Sequence, residues 1–176
     1  MSDYEIRNLN TGDFEHIRTL ETEIFGAMDE GLLCPYYVRL CCDFFPDNSF
    51  IAFDGGRPIA YLLCFVKGRE AYCTTLAIRP EYQRTRLVVQ LLKAFVSTVV
   101  QACDVCWFTV DEDNKAARAL HRMLGATEVE VRQDFYGAGD HRIVSRIDRE
   151  RFEEQRRKYV RLGLLDKEAP VAREAA

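Results

Sequence analysis

Two short stretches of the chain combine residue types and spacings that could do chemistry. In the first, a predicted strand at residues 73–78 leads through an arginine-containing turn, residues 79–85, into a long apolar helix. The first amide groups of a helix lack intrahelical acceptors and lie at the positive end of the helix dipole, so they can bind phosphate. The first stretch therefore predicts an anion-binding turn.

The second stretch, residues 114–126, has the start and stop signals of a shorter helix. Asn114 suits the N-cap of that helix, and Gly125 suits the position just beyond its end. His121 lies one turn after Ala117. Because histidine can hold or release a proton near neutral pH, His121 is a candidate for proton transfer or hydrogen bonding to a reacting atom.

Together the two stretches resemble the GCN5-related N-acetyltransferase (GNAT) superfamily, whose members transfer an acyl group from coenzyme A to an amine. The family's diphosphate-binding turn reads approximately Q/R-x-x-G-x-G/A and aligns with residues 83–88, whereas its N-x-x-A-x-x-L-Y-x-x-x-G-F motif aligns with residues 114–126. Arg86 and Val88 stand where the turn usually has small residues, and His121 stands in the tyrosine position. The residues that match are Gln83, Asn114, Ala117, Leu120 and Gly125.

The resemblance implies that acetyl-CoA or another acyl-CoA is the cofactor. Its pantetheine arm would lie along the fourth strand and its diphosphate at the arginine-containing turn, with Arg79, Arg84 or Arg86 adding a charge-assisted contact. In the alternative, the side chains of Arg86 and Val88 fill the cleft and the fold persists without the cofactor. The expected cofactor-binding residues are Leu76, Ala77, Ile78, Gln83, Arg84, Thr85, Arg86, Leu87, Val88, Val89, Asn114 and Ala117.

For catalysis, the resemblance implies that His121 protonates or hydrogen-bonds the leaving sulfur; the alternative is a histidine that packs against the sheet. The attacking amine also needs a group that accepts its proton. Tyr72 on the fourth strand aligns approximately with a catalytic glutamate of some relatives, although a phenol is a poor base at neutral pH. Further candidates for the base, each equally compatible with an exposed loop charge, are Asp111, Glu112, Asp140 and His141.

The acceptor would be bound by residues 27–37 and by the closing loop, residues 135–142. Both segments mix aromatic side chains with acidic ones, which suits a small-molecule amine with an apolar body. The same aromatic residues could instead form core beneath a loop. We therefore predict acyl transfer to a small-molecule amine by direct attack, and the alternative is a non-catalytic GNAT-like module that acts as a regulatory or partner-binding subunit.

The composition describes an ordinary globular protein without a membrane or nucleic-acid signature. The formal net charge is −4, and no apolar run approaches the roughly eighteen residues that cross a bilayer. The N-terminus is too acidic for a signal peptide, so we expect a cytoplasmic protein. A homodimer is a candidate assembly. The seven cysteines include no pair of C-x-x-C units, which predicts reduced thiols and no metal site.

Hydrophobic periodicity predicts the element order βααβββαβαββ, which coincides with the GNAT topology. The expected fold class is α/β (α+β), with a mixed and mostly antiparallel sheet of about seven strands flanked by helices. Residues 1–148 would form the acyltransferase domain, and residues 149–176 an appended charged helix with a flexible tail. No internal repeat or low-complexity segment interrupts this order.

Overall fold

A computed structural model describes residues 4–26 and 32–167. Its strands are β1 (Glu5–Asn8), β2 (Phe50–Asp54), β3 (Arg57–Lys67), β4 (Glu70–Ile78), β5 (Val105–Asp111), β6 (Thr127–Arg132) and β7 (Arg142–Asp148). Its α-helices are α1 (Phe14–Phe25), α2 (Pro35–Asp43), α3 (Arg86–Ala102), α4 (Lys115–Met123) and α5 (Arg149–Arg161). Residues 27–31 of the predicted acceptor segment and the predicted tail from residue 168 onward lie outside the described residues.

The seven strands form one sheet in the order β1-β2-β3-β4-β5-β7-β6. Every neighbouring pair is antiparallel except β4 and β5, which run parallel. The parallel pair requires a crossover connection, and α3 supplies it, because a two-residue hairpin can join only antiparallel strands. The predicted mixed and mostly antiparallel sheet, and with it the α+β class, is confirmed.

Two hydrophobic layers sandwich the sheet. On one face, α3 packs its apolar stripe, which includes Leu87, Leu91 and Phe95, against the strands, because these positions recur at helical spacing. On the other face, α1 and α2 bury Ile17, Leu20 and Val38 over β2 and β3. Neither α1 nor α2 forms part of the core beside β5, β6 and β7, so no helix of residues 4–26 and 32–167 covers that half of the second face.

A β-bulge in β4 sets the shape of the central sheet. Leu63 of β3 pairs with Thr75, but the next residue, Cys64, pairs with Cys73, so Thr74 is an extra residue on β4. Such a bulge bends its strand and increases the local twist. The pairing of β4 with β5 also ends at Cys73, which lies opposite Phe108. Beyond the bulge, therefore, the two parallel strands separate.

Helix α5, predicted as an appended helix, packs into the same core cluster as α3. Phe152 and Tyr159 are buried there, and the Tyr159 hydroxyl donates a hydrogen bond of 2.6 Å to the Leu124 carbonyl at the end of α4. The Arg149 guanidinium donates to the carbonyls of Val100 and Cys103 at the end of α3. Helix α5 thus satisfies carbonyls at the C-terminal ends of both helices.

Three further features of the described residues concern membrane-spanning helices, metal sites and cysteines. None of the helices there combines the length and apolar character that a bilayer crossing needs. Within the same residues, no cluster of histidine, cysteine and acidic side chains has the arrangement of a metal site. All seven cysteines are free thiols, and burial raises the pKa of several of them, including Cys64 and Cys106.

The contact between α5 and α4 gives a stability prediction. Tyr159→Phe removes the hydroxyl and leaves the buried Leu124 carbonyl without its donor, so the free energy of unfolding should fall by about 1–2 kcal/mol. Urea denaturation measures this difference. The matched control is Leu162→Ala on an exposed position after α5, which should change stability by less than about 0.5 kcal/mol. Equal midpoints for Tyr159→Phe and the unchanged protein would contradict the prediction.

Candidate functional site

The separation of β4 from β5 produces a cleft of about 510 Å³ that passes between the two strands. The lining combines apolar side chains of α3, α4 and the strands with polar groups of α4 and the strand ends. The cleft lies between the N-terminal half of α3 and the inner face of α4. Its lining includes Thr74, Leu76, Ile78, Val88, Leu92, Phe95, Phe108, Thr109, Asp111, Asn114, Ala117, His121 and Arg142.

The outer half of β4 presents backbone hydrogen-bonding groups to this cleft. The amide of Arg79 donates to the carbonyl of Ile59 on β3, and alternate residues of an antiparallel strand bond to the same neighbour. Ala77 and Thr75 therefore face β3, whereas Ile78 and Leu76 direct their N–H and C=O groups away from β3. The Ile78 carbonyl already accepts a hydrogen bond of 3.1 Å from Gln83 Nε2. Because β5 has separated there, an extended ligand can pair with the backbone groups of Leu76 and with the Ile78 amide as a further strand would.

The turn before α3 is built without glycine. A 3-10 turn, Pro80–Tyr82, leads to Thr85, the N-cap of α3. The Thr85 hydroxyl donates to the Tyr82 carbonyl at 2.8 Å and accepts a longer hydrogen bond, 3.3 Å, from the Leu87 amide. No residue between Arg79 and Val88 has a positive φ. The backbone path therefore does not need the conformational freedom that the family's glycines would supply.

The two arginines of the turn, Arg79 and Arg84, and Arg86 at the start of α3 lie in different environments. Arg79 is buried; it donates to the Pro58 carbonyl and forms an ion pair with Glu23 of α1, so it secures the end of β4. The Arg86 guanidinium lies 5.8 Å from the centre of the Tyr4 ring, away from the cleft. Arg84 is exposed and, among the residues that the structure describes, has no ion-pair partner. Arg84 is thus the cation of this turn that remains available to a phosphate.

The other predicted cofactor residues divide into three groups by position. Leu76, Ile78, Gln83, Val88, Asn114 and Ala117 line the cleft. Leu87 and Ala77 are buried in the two core layers, Ala77 on the face that α1 and α2 cover. Val89 is exposed on another side of α3, near Gly163. Val88 forms part of the wall without closing the cleft.

Helix α4 carries the second motif as its residue types predict. Asn114 is the N-cap, and its side-chain oxygen accepts a hydrogen bond of 3.0 Å from the Ala117 amide. His121 lines the cleft, packs against the ring of Phe108 at 4.5 Å and has Nδ1 3.4 Å from the Ser145 hydroxyl. Burial lowers the pKa of His121 to about 4, so the ring is neutral at physiological pH.

The candidates for the catalytic base differ in their position relative to the cleft. Tyr72 is 47% exposed and stacks on Trp107, on the sheet face outside the cleft lining. Asp140 accepts two hydrogen bonds from Arg142, at 2.8 and 2.6 Å, which lower the pKa of its carboxyl group. Arg142 in turn lines the cleft, with Nη1 3.8 Å from an Asp111 oxygen. Asp111 is the only acidic side chain in the lining formed by the described residues.

Several cleft residues have no sequence signal of their own. Thr74 lines the cleft because the register slips there, and its hydroxyl contacts both the Leu63 carbonyl and the Tyr37 hydroxyl. Thr109 and Phe25 also line it, from β5 and α1. An ordinary strand or helix residue type gives no indication of such a position, because register and helix placement are properties of the folded chain.

Comparison with known proteins agrees with this architecture. A curated relative, the [Ribosomal protein bS18]-alanine N-acetyltransferase of Escherichia coli (strain K12), is 30% identical over 95 residues, which cover 53% of this chain and 64% of that protein. The crystal structure of the ribosomal-protein-S18-alanine N-acetyltransferase from Escherichia coli has a TM-score of 0.67 at 22% identity, covering 83% of this chain and 94% of the other.

A second solved structure shares the fold at lower sequence identity. Diaminobutyrate acetyltransferase from Paenibacillus lautus, in complex with L-2,4-diaminobutyric acid and coenzyme A, has a TM-score of 0.70 at 17% identity. The superposed regions cover 84% of this chain and 96% of that one. The model of the Acetyltransferase (GNAT) family matches residues 7–126, which include β4, the arginine-containing turn and α4. On these grounds, the chain belongs to the acetyltransferase (GNAT) family.

Proposed function

We propose that this chain transfers an acetyl or other short acyl group from acyl-coenzyme A to a primary amine by direct attack. The observation that carries the proposal is the continuous cleft, which extends from the N-terminus of α3 along the unpaired edge of β4 to His121. The predicted alternative, a non-catalytic module, requires the side chains of Arg86 and Val88 to fill this cleft. Arg86 lies beside Tyr4 and Val88 forms part of the wall, which supports the enzyme.

The donor set of the cleft fits coenzyme A. Leu76 and Ile78 supply strand-edge groups for the pantetheine amides, and apolar side chains of α3 line the same channel. Val88 is in the first turn of α3, where an amide lacks an intrahelical acceptor, and the Arg84 charge lies just before that turn. The volume, about 510 Å³, is within the range of roughly 300–1,000 Å³ usual for ligand pockets.

The residues of the cleft can hold and move the protons that acyl transfer requires. Acyl-coenzyme A supplies, when bound, an activated thioester carbonyl that an amine can attack. A neutral His121 can donate its N–H as a hydrogen bond to the leaving sulfur, whereas burial disfavours the imidazolium form. We assign Asp111 to accept the amine proton and Asp140 to position Arg142 beside it. A role for Tyr72 as the base stays a prediction.

The acceptor class is the finer part of the proposal. The closing loop contains the aromatic Tyr136 beside Arg142, which agrees with the predicted small-molecule amine. Of the similar proteins, one is named for the alanine of a ribosomal protein and another for diaminobutyrate. A polypeptide acceptor is therefore the second candidate. The cytoplasmic location and the homodimer stay predictions from the sequence.

Binding of the cofactor can be tested on two neighbouring residues that face opposite ways. Val88→Glu puts a negative charge in the wall beside the diphosphate site and should weaken acetyl-CoA binding roughly tenfold or more. Val89→Glu makes the same change on the exposed side of α3 and should leave affinity within about threefold. Isothermal titration measures both. Equal losses for the two variants, or no binding to the unchanged protein, would contradict the proposed site.

The protonation state of His121 gives a pH prediction. Because burial lowers its pKa from 6.5 to about 4, its ring should titrate near pH 4 by NMR. The unfolded chain takes up that proton first, so stability decreases as the pH falls from 6.5 through 4. His121→Gln should lack this component, which we expect to be on the order of 3 kcal/mol. A titration midpoint near 6.5 would show that the ring is not buried as described.

Transferase activity is tested by incubating the protein with acetyl-CoA and a panel of amines and peptides, and by measuring free thiol and product mass. We expect product with at least one amine, and Asp111→Asn should lower kcat roughly tenfold or more while acetyl-CoA affinity stays unchanged. The matched control is Asp113→Asn, an exposed carboxylate two residues away. If no acceptor releases free coenzyme A thiol and the protein also fails to bind acetyl-CoA, the non-catalytic module is favoured instead.

A further inference from the structure

A row of four side chains crosses the face of the sheet that α1 and α2 leave partly uncovered. The residues occupy directly paired positions on neighbouring strands: Phe65 of β3, Tyr72 of β4, Trp107 of β5 and Arg146 of β7. Tyr72 and Trp107 stack with centroids 6.2 Å apart and planes 18° apart. The Arg146 guanidinium lies 5.7 Å from the centre of the Trp107 ring. We call this set the aromatic row.

The aromatic row extends to the end of α2 on one side, and the Arg146 guanidinium lies at its other end. Phe45, which follows α2, packs edge-on against Phe65 at 5.1 Å and is itself 45% exposed. Arg146 is exposed and, within residues 4–26 and 32–167, forms no ion pair with an acidic side chain. By contrast, its neighbours Arg132 and Arg142 are each paired with a carboxylate. The row is thus a partly exposed aromatic surface with the Arg146 cation at its end, and the Trp107 indole N–H donates to the Glu70 carboxylate at 3.1 Å beside it.

The aromatic row borders the cleft on this face of the sheet. Tyr72 precedes Thr74 by two residues and Trp107 precedes Thr109 by two, and residues two apart on a strand share a face about 7 Å apart. Thr74, whose hydroxyl bonds to Tyr37 of α2, and Thr109 both line the cleft. An acceptor that enters the cleft from the α2 side therefore lies next to the row.

The shape of this surface discriminates between acceptor classes. Small ligands bind in concave sites that bury most of their surface, whereas the aromatic row lies on an open strand face. Exposed apolar surface next to a reactive cleft is typical of a protein-binding site. We propose that the aromatic row binds the residues that follow the N-terminal amine of a polypeptide acceptor, with apolar side chains on Tyr72 and Trp107 and an acidic side chain on Arg146. This inference rests on the proposed transferase function.

Acceptors of increasing length test the proposal. Amino-acid amides, tripeptides and decapeptides share the same first residues, and the decapeptides continue with alternating leucine and glutamate, or with lysine in place of glutamate. We expect kcat/KM for the leucine–glutamate decapeptide to exceed that of the tripeptide roughly tenfold, and the lysine series to lose most of this gain. Equal kcat/KM values for all lengths would overturn the proposal while leaving the transferase function intact.

The single tryptophan of the chain reports on the row without any catalysis. Titration of the leucine–glutamate decapeptide, with coenzyme A present, should change Trp107 emission in a saturable way, and the amino-acid amide, which is too short to reach the row, should not. If Trp107 emission changes but no peptide is acetylated, peptide binding at the aromatic row is supported and the proposed transferase function is wrong. Unchanged Trp107 emission would contradict peptide binding at the aromatic row. A saturable change with a single-stranded oligonucleotide but not with the decapeptide would contradict it as well.

Substitutions distinguish peptide binding at the aromatic row from the catalytic step. Arg146→Glu should abolish the length-dependent gain for the glutamate series and restore it for the lysine series, whereas turnover of the amino-acid amide, which does not reach the row, serves as the reference. Arg157→Glu on an exposed face of α5 makes the same charge change away from the row and should do neither. Tyr72→Phe should keep the gain because the ring remains. If Tyr72→Phe instead lowers kcat for every acceptor, Tyr72 acts as the base and not through the row.

Discussion

The insertion of a single extra residue into β4 is the constraint on which the site depends. Thr74 is not paired with any residue of β3 in the strand register, so β4 bends at this position. The pairing of β4 with β5 ends at the preceding residue, Cys73. The separation leaves backbone groups of β4 without a strand neighbour and opens a channel through the sheet. Both the cleft and its connection to the opposite face follow from this one irregularity, which the hydroxyl of Thr74 secures through its bonds to Leu63 and Tyr37.

The helices around the cleft are held by contacts at their ends. Thr85 caps the start of α3 and Asn114 the start of α4, while α5 supplies donors to the carbonyls where both helices finish. These contacts orient the first turn of α3 and the inner face of α4 toward the same space. The two helices that flank the cleft are therefore contacted at their ends by α5, which lies beyond the residues matched by the family model.

The arginine-containing turn shows how a departure from a family motif can be accommodated. Its backbone keeps negative φ values throughout, so side chains at positions 86 and 88 cause no strain. Arg86 extends toward Tyr4, and Arg79 is used to join β4 to α1. Of the three arginines that the sequence places beside the turn, Arg79 is buried and Arg86 lies near the Tyr4 ring, whereas Arg84 is exposed and has no ion-pair partner among the described residues.

The sequence by itself determined the element order, the helix caps and the family, because periodicity, capping residues and the second motif are local properties. It could also place Asn114, Ala117 and His121 on one helix, since their spacing fixes their relative positions. The cleft, the diversion of Arg79 and Arg86, the pKa of His121 and the aromatic row were decided only by the tertiary structure. Strand register, burial and contacts between distant residues produce them, and no single stretch of chain contains that information.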